Sequence, residues 1–252
     1  MKISIITSTY NSEKTLRDTI ESVIHQDYPD IEYIIIDGGS TDKTLDIVKE
    51  YAQYIDKVVS EPDKGIYDAM NKGIALTTGD VVGLLNSDDF FASNDVVRTI
   101  AEAFENKPEL DAIHADLYYV DPIHTEHIIR YWHTKPYPKK GFLTGWHPAH
   151  PTFYVRKSCY ERLGGFRTDM SLSADFELML RYIQCNHIRT QHIDKVFVRM
   201  RIGGVTSKNI LSILRSIKQC RYAFKINGLR MPMLYPFYRL FPKLFQYFHD
   251  KR

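Results

Sequence analysis

Short apolar runs alternate with segments of helical periodicity through the first third of the chain. The apolar runs predict buried strands at residues 3–8, 33–36, 57–60 and 81–85. Between them, apolar residues recur at helical spacing, as at Leu16, Ile20 and Val23, and predict helices that begin near residues 12, 41 and 66. Strands that alternate with helices indicate a parallel sheet covered by helices on both faces. The pattern therefore predicts an α/β fold.

The second half of the chain is less regular. It contains strand-like segments at residues 112–120 and 127–133, and its periodicity predicts a helix at about residues 172–185. Residues 135–151 are rich in proline, glycine and aromatic side chains, which is typical of an active-site loop. The Gly203-Gly204 pair is the best candidate boundary. We therefore predict one domain at residues 1–206 and a C-terminal extension at residues 207–252.

Polar segments directly follow the four predicted strands of the first third. They are residues 8–11, 37–40, 61–64 and 86–89. Open α/β sheets bind their ligands at the carboxyl ends of the strands. We therefore expect a binding site at this edge of the sheet.

The composition allows a folded enzyme and gives no sign of a targeting segment. The chain has 252 residues, of which 44% are hydrophobic and 25% charged, so a substantial core is possible. Its apolar stretches are far shorter than the roughly 20 residues of a spanning helix, and its first residues lead into a strand rather than a signal peptide. Three widely spaced cysteines favour reduced thiols in the cytosol over disulfides or a cysteine zinc site.

The charges divide between an acidic body and a basic tail. From residue 207 to the end, ten Lys or Arg accompany one acid, so the tail carries +9 and the rest of the chain −7. The same tail contains nine aromatic residues. Basic and aromatic residues together suit an anionic membrane surface or single-stranded nucleic acid. The alternative is a helix packed on the domain with a solvated basic face.

Two adjacent carboxylates, Asp88 and Asp89, directly follow an apolar strand. Such carboxylates repel each other unless a cation or hydrogen bonds compensate. Hard oxygen ligands beside substrate phosphates suit Mg²⁺ or Mn²⁺. A helix N-cap is an equally good explanation of these residues on their own.

Asp37 ends the second predicted strand and precedes Gly38 and Gly39. A carboxylate at a strand end can accept hydrogen bonds from a nucleobase or ribose, and glycines let the backbone approach a ligand. A turn with a capping Ser or Thr is the alternative. It explains residues 40–42 well and Asp37 less well.

Five segments in this order resemble the inverting, nucleotide-sugar-dependent glycosyltransferases of family 2, particularly the bacterial members that build O-antigen, capsule or other surface polysaccharide. The segments are residues 3–11 (ISIITSTYN), 34–44 (IIIDGGSTDKT), 60–73 (SEPDKGIYDAMNKG), 79–90 (GDVVGLLNSDDF), and 164–166 (GGF) followed by 174–178 (ADFEL). The resemblance implies a single GT-A type domain with a Rossmann-like, mostly parallel sheet. The basic, aromatic extension would follow it as a helical segment.

The resemblance also implies roles for particular residues in donor binding. Ser8 and Tyr10 stand where the family contacts the base and ribose, and Asp37 where a carboxylate reads the base. Asp88 and Asp89 match the motif that holds the divalent metal, Mn²⁺ or Mg²⁺, on the pyrophosphate and touches the ribose.

The phosphate contacts depart from the family pattern. Many relatives have an arginine before the asparagine of the third helix, where this chain has Met70 before Asn71. We therefore expect Lys64 or Lys72 to supply the phosphate charge beside Asn71.

Asp175 matches the catalytic base of the family. The implied reaction is transfer of a sugar from a nucleotide-sugar, with UDP as the leading donor base, to a hydroxyl of a glycan or lipid-linked saccharide. The metal neutralises the departing nucleoside diphosphate while Asp175 takes the proton of the attacking hydroxyl, and the anomeric centre is inverted. A hexosyl- or N-acetylhexosaminyltransferase is expected.

Two residues of the 135–151 loop are candidate acceptor contacts. Trp146 could stack on a sugar ring and His150 could contact the acceptor or a phosphate. The alternatives are a core tryptophan and a packed loop histidine. Prolines at 148 and 151 argue against a helix here, and so against a histidine metal site on one helix face.

Other functions fit the sequence less well. A catalytically silent nucleotide-sugar-binding or scaffolding protein of the same fold is the main alternative to the enzyme. A nucleotidyltransferase or a dehydrogenase would need a Gly-rich loop after the first strand, where this chain has Ser8-Thr9-Tyr10-Asn11. Because the resembling enzymes often act on lipid-linked acceptors, we expect the tail to bind the anionic inner leaflet and not nucleic acid. The predicted location is cytoplasmic, peripheral on the membrane.

Overall fold

One sheet with helices on both faces organises the part of the chain that the computed structural model describes, residues 1–203 and 210–238. Its strands are β1 (Ile3–Thr9), β2 (Ile31–Asp37), β3 (Lys57–Ser60), β4 (Val81–Leu84), β5 (Asp89–Phe91), β6 (Ala112–Val120), β7 (Ile128–Trp132), β8 (Tyr154–Arg156) and β9 (Thr190–Arg201). Its helices are α1 (Leu16–Ile24), α2 (Thr44–Glu50), α3 (Ile66–Leu76), α4 (Val96–Asn106), α5 (Lys157–Leu163), α6 (Ala174–Met179) and α7 (Ile210–Ile226). A π-helix, Leu180–Cys185, continues α6.

The first four strands form the parallel half of the sheet that the sequence predicted. β1 lies between β2 and β4, and β3 pairs with the other side of β2. All three pairings are parallel. Ile3, Ile5 and Ile6 of β1 and residues 34–36 of β2 are fully buried and alternate between two apolar clusters, one on each face. This two-sided burial explains why the strands appear as continuous apolar runs.

The second half of the chain makes the sheet mixed. β8 is antiparallel to both β4 and β6, while β6 and β9 are parallel to each other. β5 and β7 add antiparallel pairings to β9 and β6. β5 follows β4 in the chain but pairs with β9. This pairing closes one side of the carboxyl edge of the sheet.

The described part of the extension packs on the rest of the molecule. Cys220, Ala223 and Phe224 of α7 are fully buried, as is Tyr235 beyond the helix, and all four join the apolar cluster that contains Phe176 of α6. The extension therefore shares a core with residues 1–203 as far as 238. The predicted boundary at 206 and the last part of the tail, residues 239–252, lie outside the described residues. Within the described parts of the chain, no helix is long and apolar enough to cross a membrane.

Candidate active site

A cleft of about 1870 Å³ opens at the carboxyl ends of the parallel strands, as expected for this type of sheet. Its walls contain residues from the ends of β1 and β4, from α3, and from the region around α6. β7, β9 and the C-terminal segment complete it. The predicted site residues that line it are Ser8, Tyr10, Asp88, His150 and Asp175.

The end of β1 presents two hydroxyls to the cleft. The side-chain oxygens of Ser8 and Thr9 are buried, and neither has a hydrogen-bond partner among the described residues. Tyr10, next along the wall, is 63% exposed. Buried hydroxyls without partners carry a free-energy cost that a hydrogen-bonding ligand removes. This end of the cleft is therefore suited to a polar ligand with a ring that can lie on Tyr10.

The Asp37 carboxylate lies behind the cleft wall, fully buried in a turn. Its oxygens accept hydrogen bonds from the Ser40 hydroxyl at 2.5 Å, the Ser60 hydroxyl at 2.7 Å, and the backbone N–H groups of Gly39 and Ser40. These contacts hold the turn after β2 against β3. Sequence reasoning expected a base contact from Asp37 and did not anticipate this network.

The three residues expected near the phosphates are not gathered in the cleft. Asn71 accepts a hydrogen bond from the Phe166 N–H and donates one to the Phe166 carbonyl, both at 2.8 Å. The Lys72 ammonium lies 2.6 Å from Asp63 and 2.8 Å from Glu61, and these contacts raise the lysine pKa.

Lys64 is exposed at the rim, where its backbone N–H bonds to Asp68. Asn71 and Lys72 thus have structural partners already, which their position in the motif did not reveal.

The structure separates Asp88 from Asp89. Asp88 lines the cleft, whereas Asp89 is the first residue of β5, is fully buried, and has no hydrogen-bond partner for either carboxylate oxygen among the described residues. Burial raises the pKa of both carboxyls, and the charge of Asp88 raises that of Asp89 further. A desolvated pair of carboxylates beside a cleft fits a divalent cation, with Asp88 as the residue that reaches the cleft.

Two arginines of the cleft were missed by sequence reasoning. Arg201, at the end of β9, donates to the backbone carbonyl of Asp88 at 2.7 Å and pairs with Asp18. Arg130 of β7 lies with its guanidinium 3.7 Å from the centre of the Tyr119 ring. Both are nearly buried and line the cleft. Neither belongs to one of the motifs: Arg130 is the single charged residue of β7, and Arg201 is one of four charged residues in β9.

Asp175 is held in the first turn of α6 by two neighbours from other parts of the chain. The Tyr67 hydroxyl donates to Oδ1 at 3.1 Å, and Nδ1 of His150 lies 3.3 Å from Oδ2. Burial and the adjacent carboxylate raise the pKa of Tyr67, so its hydroxyl stays protonated and donates. The carboxylate remains 25% exposed in the cleft. It is thus oriented and still open to a ligand.

Other acids near Asp175 are committed elsewhere. Glu177 is buried and pairs with Arg181 at 3.0 Å, and Asp169 pairs with Arg167 at 2.7 Å. Asp175 is the member of these three carboxylates that lines the cleft.

Trp146 does not line the cleft, although the sequence suggested it as an acceptor contact. Its indole N–H donates to the Thr134 carbonyl at 2.7 Å, and its ring packs edge-on against Phe142 and Tyr137. The neighbouring His147 and Trp132 of β7 line the cleft instead. The core alternative for Trp146 therefore matches its surroundings.

The family model for Glycosyl transferase family 2 matches residues 4–163. The chain belongs to this family. Relatives agree: an uncharacterized glycosyltransferase of Mycobacterium tuberculosis is 33% identical over 181 residues, 71% of this chain and 68% of that protein. A PGL/p-HBAD biosynthesis glycosyltransferase of Mycobacterium bovis is 27% identical over 212 residues, 82% of this chain and 80% of that protein.

Solved structures confirm the GT-A type fold for this family 2 chain. S. aureus TarS 1-349 in complex with UDP-GlcNAc has a TM-score of 0.67 at 20% identity and covers 100% of this chain and 74% of its own. Mannosyltransferase PcManGT from Pyrobaculum calidifontis, in complex with GDP-Man and Mn²⁺, has a TM-score of 0.65 at 19% identity, over 96% of this chain and 68% of its own. In another TarS structure, the similar region spans 44% of the TarS chain.

Proposed function

We propose that this family 2 protein transfers a hexosyl or N-acetylhexosaminyl group from a UDP-sugar to a hydroxyl of a glycan or lipid-linked saccharide, with inversion. The observation that carries the proposal is one cleft that combines the oriented carboxylate of Asp175, the carboxylate of Asp88, and two buried hydroxyls without partners among the described residues. The ligands bound in the similar structures, UDP-GlcNAc in TarS and GDP-Man in PcManGT, support a nucleotide-sugar donor.

Donor binding is assigned to the ends of β1 and β4. The hydroxyls of Ser8 and Thr9 would hydrogen-bond the nucleoside, whose base would lie on the exposed ring of Tyr10. Asp88, with Asp89 behind it, would hold Mn²⁺ or Mg²⁺ together with the phosphate oxygens of the donor. When bound, such an ion neutralises charge that develops on the departing diphosphate.

Proton removal is assigned to Asp175. An acceptor hydroxyl within hydrogen-bond distance of the carboxylate gives up its proton to a carboxylate oxygen as its own oxygen bonds to the anomeric carbon. The bond from that carbon to the diphosphate breaks on the opposite face, which inverts the centre. Tyr67 and His150 fix the orientation of the carboxylate, which lowers the entropic cost of reaching the geometry for proton transfer.

The C-terminal segment would bring the enzyme to a membrane that carries its acceptor. On α7 the exposed residues Arg215, Lys218, Arg221 and Lys225 recur every three or four positions and so share one face. Met233, Leu234 and Phe237 are exposed close to the helix, and Phe237 also lines the cleft. Cations next to exposed apolar side chains suit an anionic bilayer surface and a lipid-linked acceptor.

The test of the reaction is the Asp175→Asn variant, which preserves shape and cannot accept the proton. Release of UDP from a panel of UDP-sugars, measured with detergent-solubilised bacterial lipid-linked saccharides as acceptors, should fall by roughly 10²- to 10⁴-fold. Stabilisation of the folded protein by UDP and Mn²⁺ should persist, because donor binding does not use this carboxylate. Asp169→Asn, which alters an exposed ion pair, is the matched control. Normal turnover in Asp175→Asn, or the absence of nucleotide binding by the wild-type protein, would contradict the proposal.

A further inference from the structure

A second cluster of metal-ligating side chains lies outside the cleft. Asp116 belongs to β6, His133 directly follows β7, and His192 belongs to β9. β6 pairs with both other strands, so the sheet itself brings these three residues together. None of the three lines the cleft. The cluster is thus distinct from the acids at Asp88 and Asp89.

The ligand atoms of the cluster converge on one point. Nδ1 of His133 lies 2.7 Å from Oδ2 of Asp116, and Nε2 of His192 lies 2.9 Å from Oδ1. One ligand atom from each residue can be chosen so that all three lie within 4.8 Å of one another. Asp116 is fully buried and His192 nearly so, whereas the His133 side chain is 39% exposed. The cluster is therefore closed on the sheet side and accessible past His133.

The carboxylate of the cluster is oriented by further hydrogen bonds. The Tyr131 hydroxyl donates to Oδ2 of Asp116 at 2.5 Å, and the backbone N–H of Thr134 donates to Oδ1 at 2.9 Å. Metal-binding carboxylates and imidazoles are characteristically fixed by such outer partners, which hold their lone pairs toward the ion.

A third imidazole, that of the buried His114, lies beside the cluster. His114 faces His192 across the β6–β9 pairing, and the two ring centres are 5.4 Å apart. Nε2 of His114 lies 3.2 Å from the Lys135 carbonyl and so carries the proton when the ring is neutral. That leaves a lone pair on Nδ1, which is buried and has no hydrogen-bond partner among the described residues. This side of the cluster therefore contains an imidazole nitrogen whose lone pair has no partner among the described residues.

We propose that Asp116, His133 and His192 bind one divalent transition-metal ion of the zinc class. Two imidazole nitrogens and a carboxylate oxygen suit Zn²⁺ or Co²⁺, whereas Mg²⁺ and Ca²⁺ prefer oxygen ligands alone. Binding replaces the two contacts between imidazole and carboxylate by bonds to the ion, and the partly exposed His133 has room to turn. The ion would connect β6, β9 and the segment after β7, behind strands whose Tyr119, Arg130 and Trp132 line the cleft.

Direct titration tests this proposal without nucleotide or acceptor. The full chain, stripped with a chelator, is titrated with Co²⁺ while visible d–d absorption is recorded, and bound Co²⁺ is then displaced by Zn²⁺. One equivalent should bind, with the absorption of a four- or five-coordinate site, and Zn²⁺ should raise the unfolding temperature. Failure of the wild-type chain to bind one equivalent would overturn the proposal.

Variants assign the bound ion to the cluster. His133→Ala, at the accessible side, should remove the Co²⁺ spectrum and the stabilisation by Zn²⁺. The exposed His127→Ala is the matched histidine control, and Asp88→Asn controls for binding in the cleft; both should retain the spectrum. Equal Co²⁺ binding by wild type and His133→Ala would overturn the assignment. Nucleotide binding and sugar transfer are measured separately, so their failure would leave this result unaffected.

Discussion

At the scale of single residues, the motifs identify carboxylates and the structure identifies what controls them. Asp175 was expected to act as the base, but its two neighbours, Tyr67 and His150, come from distant segments that no local pattern links to it. Asp37 and Lys72 lie in two other motifs of the family, and their polar atoms already have partners within the protein. A polar residue after a strand can serve either a ligand or the backbone, and the sequence does not distinguish these uses.

The hydroxyl of Tyr67 should contribute to catalysis more than to stability. In Tyr67→Phe the ring keeps its stacking on Phe166, with centres 5.6 Å apart, while the carboxylate of Asp175 loses one donor. A hydrogen bond to a charged group is worth about 1.5–3 kcal/mol, so we expect kcat to fall roughly 10- to 100-fold with little change in the unfolding temperature. Tyr33→Phe, which removes a buried hydroxyl bonded to Thr7, should lower the unfolding temperature and leave kcat nearly unchanged. Unchanged kcat in Tyr67→Phe would show that the contact does not orient the base.

Glu32 makes stability depend on acid pH. This residue is buried; burial alone would raise its pKa, but hydrogen bonds from Lys57, Ser4 and Thr78 lower it to about 2. The folded protein favours the charged form of Glu32 more strongly than the unfolded chain does. The contribution of Glu32 to the free energy of unfolding is therefore fully present above pH 4.5. It is lost as pH falls from there toward 2.

Glu32→Gln should therefore flatten the acid limb of the stability curve. Urea unfolding between pH 2 and 7 should show a loss of about 2–3 kcal/mol in the variant at neutral pH and a smaller difference from wild type at low pH. Glu109→Gln, at an exposed position, should follow the wild-type curve. A constant difference at every pH would mean that the charge of Glu32 does not stabilise the fold.

At the scale of elements, the periodicity of apolar residues predicted the strands and helices that are long and regularly buried. β1 to β4 and α1 to α3 occur close to their predicted positions, because two-sided burial requires apolar runs and one-sided burial requires helical spacing. β5 and β8 have three residues each and are too short for a recognisable pattern. β9 has twelve residues, but most are only partly buried and the strand includes Asp194 and Lys195, so its apolar pattern is interrupted. Its pairing with β6 also shifts register next to Asp116.

The turn between α5 and α6 depends on contacts that join separate motifs. Asn71 of α3 holds the backbone of Phe166, and Arg181 donates to the carbonyls of Gly164 and Gly165. Phe166 in turn stacks on Tyr67. The turn that leads into α6 and Asp175 is thus positioned by Asn71, which was expected to bind the donor, and by Arg181, for which the sequence predicted no role.

Asn71→Ala should expose this positioning role. Loss of two hydrogen bonds at 2.8 Å leaves the buried backbone of Phe166 unsatisfied, and we expect the free energy of unfolding to fall by about 1–3 kcal/mol. Turnover should also fall, while the KM for the donor should change little, because Asn71 does not line the cleft. Asn106→Ala, at the exposed end of α4, is the control. A large rise in donor KM with unchanged stability would instead support the phosphate contact that the motif implied.

At the scale of the whole molecule, the charge division acquires a structural basis. The extension is anchored by buried side chains of α7 and by Tyr235, and the basic residues of α7, Arg215, Lys218, Arg221 and Lys225, are exposed. Packing on the domain and attraction to an anionic surface are therefore compatible, since they use opposite sides of the same segment. The sequence presented them as alternatives because composition does not reveal which side of a helix is buried.

Two truncations should separate the anchoring part of the tail from the part available to a membrane. Deletion of residues 229–252 removes Tyr235 together with Leu229 and Met231, which pack against the same apolar cluster, and should lower the unfolding temperature. Deletion of residues 239–252 removes four basic and four aromatic residues beyond the described core. It should preserve the unfolding temperature and UDP binding while weakening sedimentation with vesicles that contain anionic lipid.

Charge substitutions on α7 test the same surface without shortening the chain. Each basic residue near an anionic leaflet contributes about 1 kcal/mol, so Lys218→Gln combined with Arg221→Gln should weaken vesicle binding roughly 10- to 30-fold at low salt. The difference should shrink as salt rises, because exposed charges are screened within about 10 Å at 0.1 M. Lys43→Gln combined with Lys107→Gln removes two exposed lysines outside the extension and should leave binding unchanged. If the full chain does not sediment with anionic vesicles at low salt, or if both double variants bind equally, the basic face of α7 is a solvated surface and the acceptor reaches the cleft by another route.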